Sequence, residues 1–108
     1  MDEIDEDSHE LKDYGGFEWD PQKAKTNVRK HKIRFEDAIA IFSDGLRKRF
    51  DDMIVDGELR HQVIGMAGRN LLLIVTYTIR RYAKMKTIRI INARKPTNSE
   101  RMLYEEGD

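Results

Sequence analysis

The stretch LLLIVTYTIR, residues 71–80, predicts a β-strand at the centre of a sheet. Apart from its two threonines it is apolar on both faces up to Ile79, as expected of a central strand that helices cover on one side. Candidate strands lie before and after it, at residues 60–66 and 85–94. The loop that precedes it contains Gly68, a hairpin signal, so we expect these strands to pair antiparallel in chain order.

A fourth candidate strand, residues 46–54, precedes these three. A loop containing Asp56 and Gly57, a dipeptide typical of hairpin turns, joins it to residues 60–66. The four strands together predict an antiparallel meander. Residues 17–19 form a further short candidate strand near the start of the folded part.

Two helices are predicted ahead of the meander. The first begins at Asp20, a good N-cap, and at Pro21, which the first helical position tolerates, and it ends near Lys32. Its expected inner face has residues at spacings of four and three: Ala24, Val28 and His31. The second helix has apolar residues at i, i+3, i+4 and i+7 and ends at Asp44-Gly45: Phe35, Ala38, Ile39 and Phe42.

A last helix follows the meander. Thr97 and Glu100 match the capping box, in which a threonine side chain and a glutamate three residues later satisfy each other's backbone N–H groups. The helix is therefore expected over residues 97–106. The predicted fold class is α+β, an antiparallel four-stranded meander with two N-terminal helices and one C-terminal helix packed on it.

The length of 108 residues is enough for one domain with a single modest core. Residues 1–16, MDEIDEDSHELKDYGG, have too little apolar content to pack, so they predict a flexible acidic tail before a single domain at 17–108. The chain has no cysteine, no secretory signal and no apolar run of the roughly 20 residues that span a bilayer. We therefore expect a cytoplasmic protein that does not enter a membrane.

The net charge of zero conceals a strong asymmetry. Residues 1–16 have seven acids and one lysine, whereas residues 17–108 have 19 bases and 13 acids. From Arg60 to Arg101 there are ten bases and one acid, Glu100. Clustered Lys and Arg attract phosphate, so this region predicts a polyanion-binding surface. The alternative is an ordinary solvated surface.

The last strand becomes polar toward its end. Ile88, Ile90, Asn92 and Arg94 alternate along it, so they are expected to share one face. Asn92 and Arg94 would then lie where the sheet emerges from its core, beside Lys95 and the amino-terminal end of the last helix. That helix end offers backbone N–H groups and a positive dipole, which makes a candidate phosphate site. The alternative is that Arg94 and Lys95 are solvated turn residues.

His31 is a candidate for proton transfer, because imidazole titrates near neutral pH. A packing role on the apolar stripe of the first helix is the alternative. Arg80 ends the central strand, and antiparallel pairing places it toward the opposite end of the hairpin from Arg94. The chain has no H-E-x-x-H, P-loop or G-x-S-x-G motif, so the corresponding metalloenzyme, nucleotide-hydrolase and serine-hydrolase classes have no support.

Three blocks of the sequence resemble the BrnT family of type II toxin–antitoxin ribonucleases. They cover about three quarters of the chain in the family's order: residues 17–44, 60–80 and 87–106. The chain departs from the family pattern where it has Lys32 in place of a glycine, Asn92 in place of a serine and Pro96 in place of an alanine. The resemblance implies a RelE-like fold, in which helices pack on an antiparallel sheet.

The resemblance also implies a metal-independent endoribonuclease, without a cofactor, that inhibits growth by cutting RNA. Its expected partner is an antitoxin similar to BrnA, a ribbon-helix-helix DNA-binding protein, in a toxin–antitoxin hetero-oligomer. Operator DNA would be contacted only through that complex. A non-catalytic nucleic-acid-binding module and a partner-docking module are the alternative functions.

The candidate site residues follow from the resemblance together with the chemistry of RNA cleavage. Guanidinium groups pair with the oxygens of a phosphorane and keep their charge, and a histidine can move the proton. The candidate catalytic residues are Arg80, Arg94, His31 and Lys95. The candidate RNA-binding residues are Lys30, Arg69, Arg89, Arg101 and Tyr104. No metal site is expected.

Overall fold

The computed structural model describes residues 14–106 and has an α+β fold with three helices and a six-stranded sheet. The predicted acidic tail lies outside the described residues except for its last three. The elements in chain order are β1 (Phe17–Trp19), α1 (Pro21–His31), α2 (Phe35–Ala38) with a 3₁₀ continuation (Ile39–Ser43), β2 (Lys48–Arg49), β3 (Met53–Val55), β4 (Glu58–Met66), β5 (Leu72–Tyr82), β6 (Met85–Arg94) and α3 (Asn98–Glu105).

The sheet is mixed. Its strands are ordered β1-β6-β5-β4-β2, and β3 also pairs with β4. The central position of residues 71–80 is confirmed, since β5 pairs antiparallel with β4 on one side and with β6 on the other. β1 is parallel to β6, and the chain just before it joins the same edge because Gly15 N–H donates to the Lys86 carbonyl. The helix order is as predicted, with two helices before β2 and one after β6.

The predicted strand at residues 46–54 is divided into β2 and β3. Between them lies Asp52, whose Oδ1 is 2.8 Å from His61 Nδ1 and 2.7 Å from Arg49 Nη2. His61 is only 5% exposed and therefore needs polar partners. The carboxylate thus gives the buried His61 a polar partner, and its pairing with His61 and Arg49 interrupts the strand.

The second predicted helix is α-helical only over its first four residues. It then tightens into the 3₁₀ continuation, whose three-residue repeat changes which side chains face the core. Phe35, Ala38 and Ile41 are fully buried at intervals of three, whereas Ile39 is only partly buried. The helical period in the sequence therefore identified the buried segment but not its geometry.

The larger core lies between α2 and one face of the sheet. Phe42 packs edge-on against Tyr77 of β5 with ring centroids 5.2 Å apart, and Trp19 packs against Phe35 at 5.7 Å. On the opposite face a smaller cluster of Ile64, Leu72 and Ile74 packs against Tyr104 of α3. No helix within residues 14–106 is long and apolar enough to cross a bilayer.

Candidate functional site

Beyond the small cluster under α3, the same face of the sheet is polar. We call this region the polar face; the strand register assigns to it Arg60, Gln62, Thr76, Thr78, Arg80, Thr87, Arg89, Asn92 and Arg94. Its arginines and threonines come from three neighbouring strands. The face thus brings together charges that are far apart in the sequence.

A β-bulge at Ile91 places Asn92 and Arg94 on the polar face. Ile90 is opposite Tyr77, but Asn92 is opposite Thr76, so one residue of β6 is left over between them. Asn92 and Arg94 therefore lie on the face opposite to Ile90. The prediction that they share a face with Ile88 and Ile90 was wrong, because regular alternation does not account for a bulge.

Each arginine of the polar face is held by a carboxylate. Glu58 binds two of them, with its Oε1 at 3.2 Å from Arg60 Nε and its Oε2 at 3.0 Å from Arg80 Nη2. Arg89 pairs with Glu18 of β1, which also accepts a hydrogen bond from the Tyr82 hydroxyl. These pairs orient the guanidinium groups before any ligand is present.

Arg94 is bound to the capping box of α3. Its two Nη groups donate to the two carboxylate oxygens of Glu100 at 2.8 and 3.0 Å, and Glu100 also accepts from Thr97 N–H at 2.8 Å. The Arg94 hydrogen bond, opposed by burial, lowers the pKa of Glu100 to about 2. The predicted capping box is confirmed, and Arg94 fixes the start of α3 as well as being a candidate phosphate ligand.

Hydrogen bonds of Asn27 hold α1 beside the C-terminal end of β6. The pairing of β1 ends at Ile90, which leaves the following edge of β6 open. There the Asn27 amide accepts from Ala93 N–H at 3.0 Å and donates to the Ala93 carbonyl at 2.9 Å and the Ile33 carbonyl at 3.0 Å. Asn27, only 3% exposed, therefore takes the place of a strand partner and sets the distance between α1 and the polar face.

A cavity of about 460 Å³ lies between α1 and this edge of the sheet. Three basic residues and one histidine line it, together with polar residues and one isoleucine, and none of its lining residues is acidic. The lining residues are Gln22, Lys23, Thr26, Asn27, Lys30, His31, Arg60, Ile91 and Asn92. The structure thus brings His31 and Lys30 together with Arg60.

Arg80 and Arg94 are not brought together. Arg80 is opposite Thr87 and Arg94 is seven positions further along β6, opposite Ile74. At about 3.3 Å per residue the two arginines are roughly 20 Å apart along the strand. Arg80 is connected to the cavity through Glu58 and Arg60, whereas Arg94 lies on the same face just beyond Asn92.

The other predicted residues occupy different surroundings. Tyr104 donates its hydroxyl hydrogen to Asp44 Oδ2 at 2.6 Å, and burial together with this bond raises the pKa of Tyr104 to about 12. Lys95 is exposed in the turn before α3, Arg101 forms an exposed pair with Glu105 at 3.6 Å, and Arg69 is exposed in the turn between β4 and β5. None of these four lines the cavity.

Arg60, Lys23 and Asn27 were missed by the sequence reasoning. Alternation within β4 places Arg60 on the face opposite to the buried His61, but it does not show which cavity the side chain enters. On α1, Val28 was expected to face inward but is 41% exposed, and Asn27 is buried instead. Asn27 bonds to Ala93, which is 66 residues away in the sequence, and a local pattern does not reveal such a contact.

A comparison with protein families identifies the chain. The profile of a family described as "Ribonuclease toxin, BrnT, of type II toxin-antitoxin system" matches residues 19–100. The chain belongs to the BrnT family. The match includes α1, the whole sheet except the first residues of β1, and the Arg94–Glu100 pair.

A solved BrnT structure has the same fold. The crystal structure of the Brucella abortus ribonuclease toxin BrnT superposes with a TM-score of 0.57 at 22% sequence identity, covering 77% of this chain and 97% of that one. No curated protein matches the sequence significantly. The predicted family is confirmed, as is an α+β fold similar to that of BrnT.

Glu100 gives the stability of this BrnT-family protein a defined pH dependence. The pKa of Glu100 in the folded protein, about 2, lies below its ordinary value of 4.5. The ionised carboxylate therefore stabilises the fold fully at pH values above 4.5, and this stabilisation is lost as the pH falls through about 2. We expect the difference in free energy of unfolding between the unmutated chain and Glu100→Gln, measured in urea, to shrink between about pH 5 and pH 2. A difference that stays constant over this range contradicts the assignment.

Proposed function

We propose that this chain is the toxin of a type II toxin–antitoxin pair and a metal-independent endoribonuclease with a RelE-like arrangement of helices and sheet. The observation that supports this best is the cavity in which His31 and Lys30 of α1 face Arg60 of the polar face. It combines a proton-transfer group with cations in a site without acidic lining residues. The toxin acts on RNA in the cytoplasm, without membrane attachment.

Metal-free cleavage of RNA uses the 2′-hydroxyl as the nucleophile. The 2′-oxygen loses its proton and bonds to the adjacent phosphorus, the bond from phosphorus to the 5′-oxygen breaks, and that oxygen takes a proton. We assign proton removal to His31 and protonation of the leaving oxygen to the Lys30 ammonium. The Arg60 guanidinium stabilises the charge that develops on the phosphorane between these two transfers.

Arg80, Arg89 and Arg94 have a second role in this proposal. Because Arg80 and Arg94 are at opposite ends of the β5–β6 hairpin, they bind different phosphates of one RNA strand that runs along β6. Lys95 adds charge at the Arg94 end. Arg69, Arg101 and Tyr104, which do not line the cavity, would contact RNA only outside it.

The neutralising partner is a BrnA-like antitoxin with a ribbon-helix-helix DNA-binding fold. In the hetero-oligomer the antitoxin excludes RNA from the polar face and supplies all contacts to operator DNA. The acidic tail at residues 1–16 belongs to the proposal as an extension that is not needed for catalysis.

Parallel measurements of RNA cleavage and RNA affinity test this function. Arg80→Gln and Arg94→Gln should each weaken RNA affinity by about tenfold. Each should also reduce the slope of log affinity against log salt concentration by about the amount expected for one phosphate contact. RNA that is bound should still be cut. Arg34→Gln is the matched control, since Arg34 is an exposed arginine whose side chain is 64% accessible and which does not line the cavity. Binding without cleavage by the unmutated chain would favour the non-catalytic module.

A further inference from the structure

On the sheet side of the cavity, the guanidinium group of Arg60 is already positioned to bind a phosphate. Arg60 is anchored by its Nε to Glu58 at 3.2 Å, and its two Nη groups form no hydrogen bond to another residue among 14–106. Its side chain is 22% exposed, so the guanidinium is accessible but restrained. A guanidinium held in this way can bind phosphate oxygens with less loss of side-chain entropy than a free one.

The α1 side of the cavity is also positively charged. Lys23 and Lys30 are exposed on α1 and, being seven positions apart, lie about two helical turns from each other on the same side. No lining residue is acidic. Cations on both walls favour an anionic ligand, and the cavity volume of about 460 Å³ is within the range of small-ligand sites.

Asn92, which also lines the cavity, adds a requirement for a hydrogen-bond donor. Its Oδ1 is buried and has no hydrogen-bond partner among the described residues. A buried acceptor without a donor costs free energy, and since the Asn92 side chain is only partly buried, a rotation that turns this oxygen into the cavity lets a ligand's donor recover that cost. The ribose 2′-hydroxyl is such a donor, and it is the group that distinguishes RNA from DNA.

We propose that this cavity binds the ribonucleotide on the 3′ side of the cleaved bond, with its 5′-phosphate on Arg60 and its 2′-hydroxyl donating to Asn92 Oδ1. Glu58 is a positioning residue for Arg60. The nucleotide on the 5′ side is excluded from this subsite because its 2′-hydroxyl must give its proton to a base, and an amide oxygen does not accept a proton. The inference rests on the proposed ribonuclease function and names a subsite within it.

Mononucleotide binding tests the subsite without cleavage. Adenosine 5′-monophosphate should bind about tenfold more tightly than 2′-deoxyadenosine 5′-monophosphate, as measured by calorimetry or NMR titration. Asn92→Ala should remove this preference, and Asn92→Ser, which keeps an acceptor, should restore part of it. Arg60→Gln should weaken both nucleotides by about tenfold, Glu58→Gln by less, and the control Arg34→Gln by nothing measurable.

Equal binding of the two nucleotides by the unmutated chain, or unchanged binding by Arg60→Gln, would overturn the subsite. A cleavage assay then separates this failure from failure of the ribonuclease function. An RNA with a single 2′-deoxy residue on the 3′ side of the cut keeps its nucleophile and should be cut about tenfold more slowly. RNA that is cut with equal efficiency with and without that hydroxyl refutes the subsite alone, whereas an intact preference between mononucleotides without any RNA cleavage refutes the function alone.

Discussion

Replacing His31 with glutamine should lower the rate constant for RNA cleavage by about 100-fold or more, with RNA affinity changed only a few-fold. Glutamine keeps a polar side chain of similar length but does not exchange a proton near neutral pH. His31 lies at the end of α1 and lines the cavity with Lys30 and Arg60, so its loss removes proton transfer while the cations remain. Single-turnover cleavage with saturating protein measures the rate constant directly.

His61→Gln is the matched control for this substitution. His61 is buried, packs on Tyr77 with ring centroids 5.2 Å apart and pairs with Asp52, so its replacement should lower thermal stability but leave the cleavage rate of the folded protein unchanged. If His31→Gln cuts RNA as fast as the unmutated chain, His31 is a packing residue and the proton acceptor must be sought elsewhere on the polar face.

Replacing Asn27 with alanine should cost about 3 kcal/mol of stability and lower the melting temperature by roughly 10–20 °C. The change removes three buried hydrogen bonds and leaves the Ala93 N–H and the carbonyls of Ala93 and Ile33 without these partners. Because these bonds hold α1 against β6, cleavage should fall as well, even at temperatures at which the protein is folded. Thermal unfolding followed by circular dichroism gives the first quantity.

Asn70→Ala is the control, since Asn70 is exposed in the turn between β4 and β5. It should shift the melting temperature by less than about 2 °C. A shift for Asn27→Ala as small as that of the control would show that α1 is held by other contacts, and the cavity could then not be attributed to this asparagine.

The parts of the fold that were predicted correctly have local causes. The apolar run of β5, the Asp20-Pro21 start of α1 and the capping box of α3 each depend on residues within a few positions of one another. The bulge at Ile91, the break between β2 and β3 and the 3₁₀ continuation of α2 depend on which distant residues they meet. Sequence periodicity does not contain that information.

Some residues of the candidate site were likewise found from the sequence, and others were seen only in the structure. His31 was found because imidazole is suited to proton transfer and Lys30 because the resemblance to BrnT pointed to it, and the structure places both in the cavity. Arg60 lies near them because the Asn27 amide holds α1 beside Ala93, and Arg80 is linked to the cavity through Glu58. These contacts connect residues from four elements, so they became visible only in the folded chain.

The proposed chemistry is tested most directly by the ends of the RNA products. The purified chain should cut an end-labelled RNA in excess EDTA and leave a 2′,3′-cyclic phosphate and a 5′-hydroxyl, because the nucleophile is the RNA's own 2′-oxygen. Cleavage that requires added Mg²⁺, or products that end in a 3′-hydroxyl, would contradict the proposed mechanism.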